Sequence, residues 1–587
     1  MDNQRNLLLA VALSALLILG WDAALSYFYP QASISGQTEQ GTARGGESAS
    51  AESGGSIVSN EGDAPINLEE ALASGDRVRI DAARVEGSIN LVGARIDDIE
   101  LKDYRQTIDE DSPPIQLFAP QGTPGQYFAQ FGWIGEGVSL PGPQTVWTAS
   151  DNNLAIDSPV TLSYDNGEGQ TFAIELSIDD NYMLTAKQTV ANNSTGPIVV
   201  RPFGLINRKW IESDGQFGAF YSHTGPMGSF GDSVEYGPDY DDLVDDGAYT
   251  PEGRAHWLGF SDNYWLSALI PDSSADTTPG FRPLGDSSFR ADLIYAPETV
   301  AAGGTQMRET HLFTGAKESV VLDDYRDNMG IEKFGKAIDW GWFEWFEKPM
   351  LWLLRQFAEF SGNFGLAIIM LTILVRALMF PIAQKQFASM AAMRAVQPKM
   401  KAIQERYKDD KQKQQQEVMA LYKKEGVNPL AGCLPLLLQI PIFFALYKTL
   451  ILAIEMRHEP FYLWIKDLSA PDPAKILNLF GLLPFDPPGF LGIGILAVLL
   501  GITMWLTFRL NPTAMDPMQQ QIFNFMPWIL MFVMAPFAAG LLLYWVTSNI
   551  LTLAQQSYLY SKHPQLRAAA EKEKADKERA TARDTKG

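Results

Sequence analysis

Arg376 is a permanent cation inside an otherwise apolar run, residues 364–382, long enough to cross a bilayer. A guanidinium near the middle of a spanning helix costs roughly 2.5–3.5 kcal/mol, and such residues usually face a bundle interior or a water-filled cavity. The plain alternative is that Arg376 snorkels to the nearer interface, where Pro381 and Lys385 mark the end of the span. Nine positions separate it from Lys385, about 13 Å of helix, which favours a functional charge. Other polar groups sit in apolar surroundings: Thr372 one turn earlier, Gln439 beside Pro441, and Tyr544, Trp545, Thr547, Ser548 and Asn549 near the end of the chain. Singly, each could glue neighbouring helices together. As a set they predict a hydrated cavity within the membrane.

Other chemistries fail on spacing. Gly330, Gly335 and Lys336 match the first part of a phosphate-binding loop, but Ala337 stands where a Ser or Thr would hold magnesium, and no buried strand precedes it. His223, His256 and His311 are scattered, with no catalytic or metal-ligand spacing, and read as structural. The acidic run at 239–246 lacks the Gly and Glu positions of a helix-loop-helix calcium site and reads as a solvated loop. The single cysteine, Cys433, leaves the chain without disulfides. No cofactor, metal or enzymatic activity is expected.

The elements that position Arg376 emerge when the chain is divided by charge. Net charge is -23, yet residues 31–363 hold 51 Asp+Glu against 21 Lys+Arg, whereas the remainder holds 18 against 25. Apolar runs of spanning length follow the second block, at 7–27, 364–382, 429–454, 490–508, 525–537 and 541–558, giving six predicted spans. The fifth is short, and only residues 536–540 separate it from the sixth. Residues 384–427 carry ten Lys or Arg and the tail after Tyr560 carries eight, so both belong in the cytoplasm. Six spans then put both termini inside and the acidic block outside. A cleaved signal peptide is the alternative for the first run, but its apolar stretch continues through Leu25, Tyr27 and Phe28, as in an uncleaved anchor.

The expected organisation is an N-terminal transmembrane anchor (1–30), a disordered linker (31–56), an all-β external domain (57–332), an amphipathic interfacial helix (333–362), a second span (363–383), a cytoplasmic helical hairpin (384–428), four further spans with their loops (429–560) and a basic tail (561–587). Alternation along 172–178 and the Asp165-Asn166-Gly167 turn predict the β-sandwich. Trp340, Trp342, Phe343, Trp345, Phe346, Trp352 and Phe357 predict a helix lying at the membrane surface. In the hairpin, Met400, Ile403 and Tyr407 face Val418, Leu421 and Tyr422 across a turn near Asp409 and Asp410. Met390, Met393, Met400 and Met419 either zip it together or offer an adaptable apolar surface.

These residues and their order resemble the YidC/Oxa/Alb family of membrane protein insertases, in the Gram-negative form with a large periplasmic domain. The resemblance runs over essentially the whole chain. It is carried most specifically by Leu374-Val375-Arg376 with Met379-Phe380-Pro381, by Asn428-Pro429 and Gly432-Cys433-Leu434-Pro435, by Gln439-Ile440-Pro441-Ile442-Phe443, by Asp516-Pro517-Met518-Gln519-Gln520, and by residues 540–549. It implies a polytopic α-helical protein with a five-helix insertase core around a polar groove, plus a periplasmic β-supersandwich resembling sugar-binding folds. It further implies that Arg376 is the groove arginine, and that Thr372, Gln439, Pro441, Phe443, Tyr544, Trp545 and Ser548 line the groove or touch a passing helix. Trp545 stands where a second Tyr is common in the family, which alters that contact face.

The implied function is insertion and folding of nascent inner-membrane proteins, alone or with the Sec translocon, in contact with membrane lipids and without DNA. The basic tail, 562–586, is expected either to touch the ribosome through RNA phosphates or only to enforce topology. Two other readings make different demands. A secondary transporter of an anionic solute calls for related halves with matching broken helices, and no such repeat is visible. A membrane-anchored carbohydrate-binding protein would depend on residues 57–325.

Overall fold

The computed structural model describes residues 66–109, 111–211, 223–408, 410–426, 434–480, 483, 485, 487, 492–510 and 517–562, with only the backbone in parts of the helices. The expected anchor, the linker, Cys433 and the tail beyond residue 562 lie outside these.

Residues 77–316 form a β-sandwich of one 10-stranded and one 9-stranded sheet, in which almost every pairing is antiparallel. Alternation drives it. In the strand Gln170–Ile178, Phe172, Ile174, Leu176 and Ile178 point inward while Thr171, Ala173, Glu175 and Ser177 are half-exposed. This strand pairs with Val160–Asp165 through the expected turn, where Gly167 takes φ 74° and its N–H donates to Asp165 Oδ1 at 2.8 Å. On its other edge lies Met183–Asn192, which pairs in turn with Gly304–Ala316.

The sheets face one another across an aromatic core. Trp133 of the first packs against Phe172 of the second at 5.2 Å, and Tyr127 meets Phe260 at 6.4 Å. Gln188, almost fully buried, donates across the layer to the Gly132 carbonyl at 2.7 Å. The three histidines are spent on structure: His223 and His256 each bond a backbone carbonyl, and His311 bonds Thr185 Oγ1.

Ten α-helices complete the described chain: α1 (Leu68–Leu72), α2 (Tyr240–Asp246), α3 (Ser319–Met329), α4 (Glu344–Ser361), α5 (Phe364–Arg406), α6 (Lys411–Glu425), α7 (Leu434–Leu452), α8 (Ile495–Leu510), α9 (Pro517–Met534) and α10 (Ala539–Lys562). Helix α2 corrects the expected acidic loop. The Asp239 and Asp242 side chains form a capping box that organises the run as a helix, and Tyr240 and Leu243 anchor it in the core.

A second correction concerns α5, which runs unbroken for 43 residues through Pro381, where the span was expected to end. The hairpin is therefore the continuation of α5 folded back as α6. The reversal falls between Arg406 and Lys411, and the two helices are held together by Tyr422 Oη on Met400 Sδ at 3.2 Å and by the Lys399–Glu425 pair at 2.7 Å.

By length and apolarity, Phe364–Lys385 is long enough to cross a membrane, while Gln439–Leu452, Ile495–Arg509 and Asn524–Met534 are apolar but shorter among the described residues. Helix α10 packs on α5, α7 and α8, α9 packs on α8, and α4 packs on α5 and α7. Asp472, buried in the segment before α8, accepts from Trp464 Nε1, Ala474 N and Leu496 N, which fixes the start of that helix.

Helix α4 is amphipathic as expected: Met350, Leu351, Leu354 and Ala358 face the protein, while Trp345, Trp352 and Phe360 are exposed. The aromatic run does not share one environment, because Trp340 and Phe343 are buried in the core before α4 begins.

Polar clamps join the sandwich to the helices. Arg355 of α4 binds Glu455 and donates to Ser319 Oγ at 2.7 Å. Arg457 donates to the Arg105 and Gln106 carbonyls at 2.8 and 3.3 Å, with its guanidinium 5.5 Å from the Trp265 ring. Lys448 of α7 reaches the Asp339 carbonyl at 2.7 Å.

Candidate functional site

The site is a polar seam between α5, α7 and α10. Asn363 starts α5 by accepting from Leu366 N at 3.1 Å, and the helix then presents Thr372 and Arg376 one turn apart. Arg376 Nε donates to Ser548 Oγ of α10 at 3.1 Å, and Nη2 donates to the same oxygen. Among the described residues no carboxylate pairs with it. The cation is half-buried and bonded to a neutral hydroxyl, which does not compensate its charge.

One turn before Ser548, the Tyr544 hydroxyl accepts from Gln439 Nε2 of α7 at 2.8 Å. Phe443, one turn after Gln439, packs on Trp545 at 4.8 Å and stacks with Tyr447 at 6.2 Å. Pro441 is exposed on the surface of α7. Arg376, Gln439, Phe443, Tyr544, Trp545 and Ser548 thus share one seam. Thr372 does not join their hydrogen bonds: it is buried, and its hydroxyl is turned onto the Ile368 carbonyl of its own helix at 2.6 Å.

Two participants were not visible in the sequence: Gln555, which donates to the Arg376 carbonyl at 3.3 Å, and Thr503 of α8, which the expected Asn549 reaches at 3.2 Å, extending the polar seam to a fourth helix. Lys448, a second cation in an apolar helix, could have been singled out by the reasoning applied to Arg376. Around the seam, Ile373 and Leu378 of α5 and Ile440 of α7 expose large apolar side chains, a surface suited to lipid.

A sandwich clamped onto a bundle of apolar helices with a polar seam defines a membrane protein with an external domain, and the sequence comparisons agree with that class. Residues 356–567 match the family described as 60Kd inner membrane protein, and residues 77–353 match the YidC periplasmic domain. The membrane protein insertase YidC of Zymomonas mobilis is 44% identical to this chain over 96% of both, and that of Bradyrhizobium diazoefficiens is 41% identical over 96% of this chain and 97% of its own. The chain belongs to the YidC family of membrane protein insertases, non-enzymatic proteins of the bacterial inner membrane. A crystal structure of an active YidC insertase with its first transmembrane domain resolved aligns with 82% of this chain and 95% of its own, at 19% identity and a TM-score of 0.36.

Proposed function

We propose that the chain carries short polar segments of nascent inner-membrane proteins across the bilayer through a hydrated groove whose floor is the Arg376 seam. Six spans, the last five forming the core, put both termini and the α5–α6 hairpin in the cytoplasm and the sandwich in the periplasm. The observation that supports this most is the Arg376 guanidinium resting on Ser548 with no carboxylate partner among the described residues. Such a charge is free to pair transiently with an acidic side chain of a substrate.

The energetics favour this role. A nascent span gains roughly 0.3–0.6 kcal/mol for each strongly apolar side chain it buries, on the order of 6–12 kcal/mol over about 20 residues. Each charged residue of a tail that must cross costs roughly 2.5–3.5 kcal/mol at the bilayer centre. Insertion is downhill with a barrier, and a wet hollow reaching partway through shortens the dry path. No nucleotide is required. Phe443 and Trp545 offer an aromatic face to the emerging apolar helix. Cooperation with the Sec translocon and ribosome contact through the basic tail belong to the same reading.

Site-specific photocrosslinking from Gln439, Pro441 and Trp545 to a ribosome-stalled single-span substrate tests it. Adducts are expected at these positions and not at buried positions of the sandwich. Their absence from the seam would refute the groove.

A further inference from the structure

The connection between α7 and α8 carries an apolar surface that the insertion mechanism does not use. Tyr462 and Leu463 are exposed at one tip, Leu463 by 88%, and Ile476, Leu477, Leu479 and Phe480 are exposed at a second. Large apolar side chains gathered on one turn form a patch rather than the scattered residues of an ordinary surface, and such a patch marks a site of interaction.

The backbone is bent to keep them there. Leu463, Leu479 and Phe480 take φ of 67°, 51° and 63°, in the left-handed region where Gly or Asn is the ordinary residue. The second turn is closed by Leu479 N on the Ile476 carbonyl at 3.0 Å and by Phe480 N on the Lys475 carbonyl at 2.8 Å. In water, Leu and Phe at these positions add exposed apolar area to backbone strain. Hydrocarbon around the side chains offsets both.

Backbone ties hold both tips at the starts of apolar helices. Asn363, which begins α5, donates to the Pro460 carbonyl at 2.9 Å, and the Phe461 ring lies so close to Gly365 that a Cβ there would come within 2.0 Å of it. Ile476 N donates to the Ile493 carbonyl at 3.0 Å, just before α8. At the start of α10, Ala539 N and Gly540 N donate to the Ala470 and Leu468 carbonyls at 2.8 and 2.9 Å. With the sandwich outside, these three starts are the outer ends of their spans, level with the outer leaflet.

Charge points to the partner. Between residues 460 and 480 both carboxylates are buried: Asp467 accepts from Ser469 N and Oγ at 2.8 and 2.6 Å, and Asp472 is turned onto the start of α8. Lys466 is exposed and Lys475 half-exposed. An apolar tip shouldered by ammonium groups matches a phospholipid, with acyl chains around the tip and phosphate beside the lysines.

We infer that the two tips, residues 462–463 and 476–480, insert into the outer leaflet and hold the outer ends of α5, α8 and α10 at its level, with phospholipid as their partner. The inference rests on the reading that these helices span the bilayer.

The test uses the full chain in nanodiscs of phosphatidylcholine with a quarter phosphatidylglycerol, carrying one nitrobenzoxadiazole label on a single thiol in a Cys433→Ser background. Labels placed by Leu463→Cys and Leu479→Cys should be quenched by lipid brominated near the top of its acyl chains. They should also resist aqueous iodide about fivefold better than a label placed by Val146→Cys, exposed on the sandwich, because ions are excluded from hydrocarbon. A label placed by Leu378→Cys, on the exposed face of α5, should be quenched by bromolipid independently of the tips. Thermal melting checks each variant, and Leu477→Cys replaces Leu479→Cys if the fold is lost. Iodide quenching at the tips equal to that at Val146 would put them in water and overturn the proposal. Shielding from both quenchers would overturn it too, since it means cover by protein, such as a second copy of this chain. Bromolipid quenching that fails at the tips alone sinks this inference; failure at Leu378 as well sinks the spanning reading beneath it.

Discussion

Gln439 and Tyr544 lie 105 positions apart in the chain and are joined by a single 2.8 Å hydrogen bond, the direct polar tie between α7 and α10 among the described residues. It sits one turn from the Arg376–Ser548 contact, so the same face of α10 holds both neighbouring helices. Side-chain hydrogen bonds between apolar helices average about 0.6 kcal/mol.

Tyr544→Phe removes this tie while keeping the ring. It should lower the stability of the solubilised protein by about 1 kcal/mol, read as a shift in thermal unfolding, and loosen α7 enough to reduce crosslinking from Gln439. An unchanged melting curve with unchanged adduct yield would count against a structural role for the pair.

Arg376→Ala should slow insertion of substrates with acidic translocated tails about five- to tenfold, a barrier change of roughly 1–1.4 kcal/mol. Arg376→Lys should retain much of the activity, because charge matters more here than the guanidinium fork. Ser548→Ala frees the guanidinium without removing it and should fall between the two. Proteoliposomes with a radiolabelled single-span substrate give the rates, and equal rates for parent and Arg376→Ala would contradict the role of the charge.

Glu347 in α4 is fully buried, with neither carboxylate oxygen hydrogen-bonded among the described residues. Burial pushes its carboxyl up to about 7; the nearby Lys448 ammonium opposes the rise, and Asp339 and Glu344 add to it. Such an acid holds its proton more tightly folded than unfolded, so stability falls as pH climbs from 4.5 to about 7. The loss is absent below that window, complete above it, and at most about 3 kcal/mol. Glu347→Gln should match the parent at the acid end and exceed it above neutrality. Thermal unfolding across the window reads this, and parallel curves for both proteins would remove Glu347 as the cause.

Deleting the hairpin, residues 384–427, should abolish delivery while the apolar helices still pack. The hairpin is a self-contained contact pair, closed by Met400 with Tyr422 and by Lys399 with Glu425, and the core seam makes no use of it. Normal insertion by the shortened protein in vesicles would exclude it from the mechanism.

The legible parts of this molecule are those set by local pattern. Alternation at Phe172, Ile174, Leu176 and Ile178 announces a strand with one buried face, and a guanidinium amid apolar residues singles out Arg376 as a candidate. What stayed hidden depends on distant partners. Nothing near Ser548 says that it will receive Arg376, and nothing near Thr372 says that its hydroxyl will turn back on its own helix. Proline misled in one place: Pro381 suggested a helix end, yet α5 continues through it, as apolar helices tolerate. The acidic run at 239–246 misled in another, because its charge concealed the reciprocal cap between Asp239 and Asp242.

The length of α5 has a mechanical consequence. At 43 residues it extends about 64 Å, roughly twice the thickness of a bilayer's oily interior, so about half of its length exceeds what one crossing needs. Pro381 and Pro398 each leave a rung out of its backbone ladder, so those are its two weakest points. The segment that bears Arg376 is moored to α10 through Ser548, whereas the far end of the same helix is tied to α6 through Met400 and Lys399.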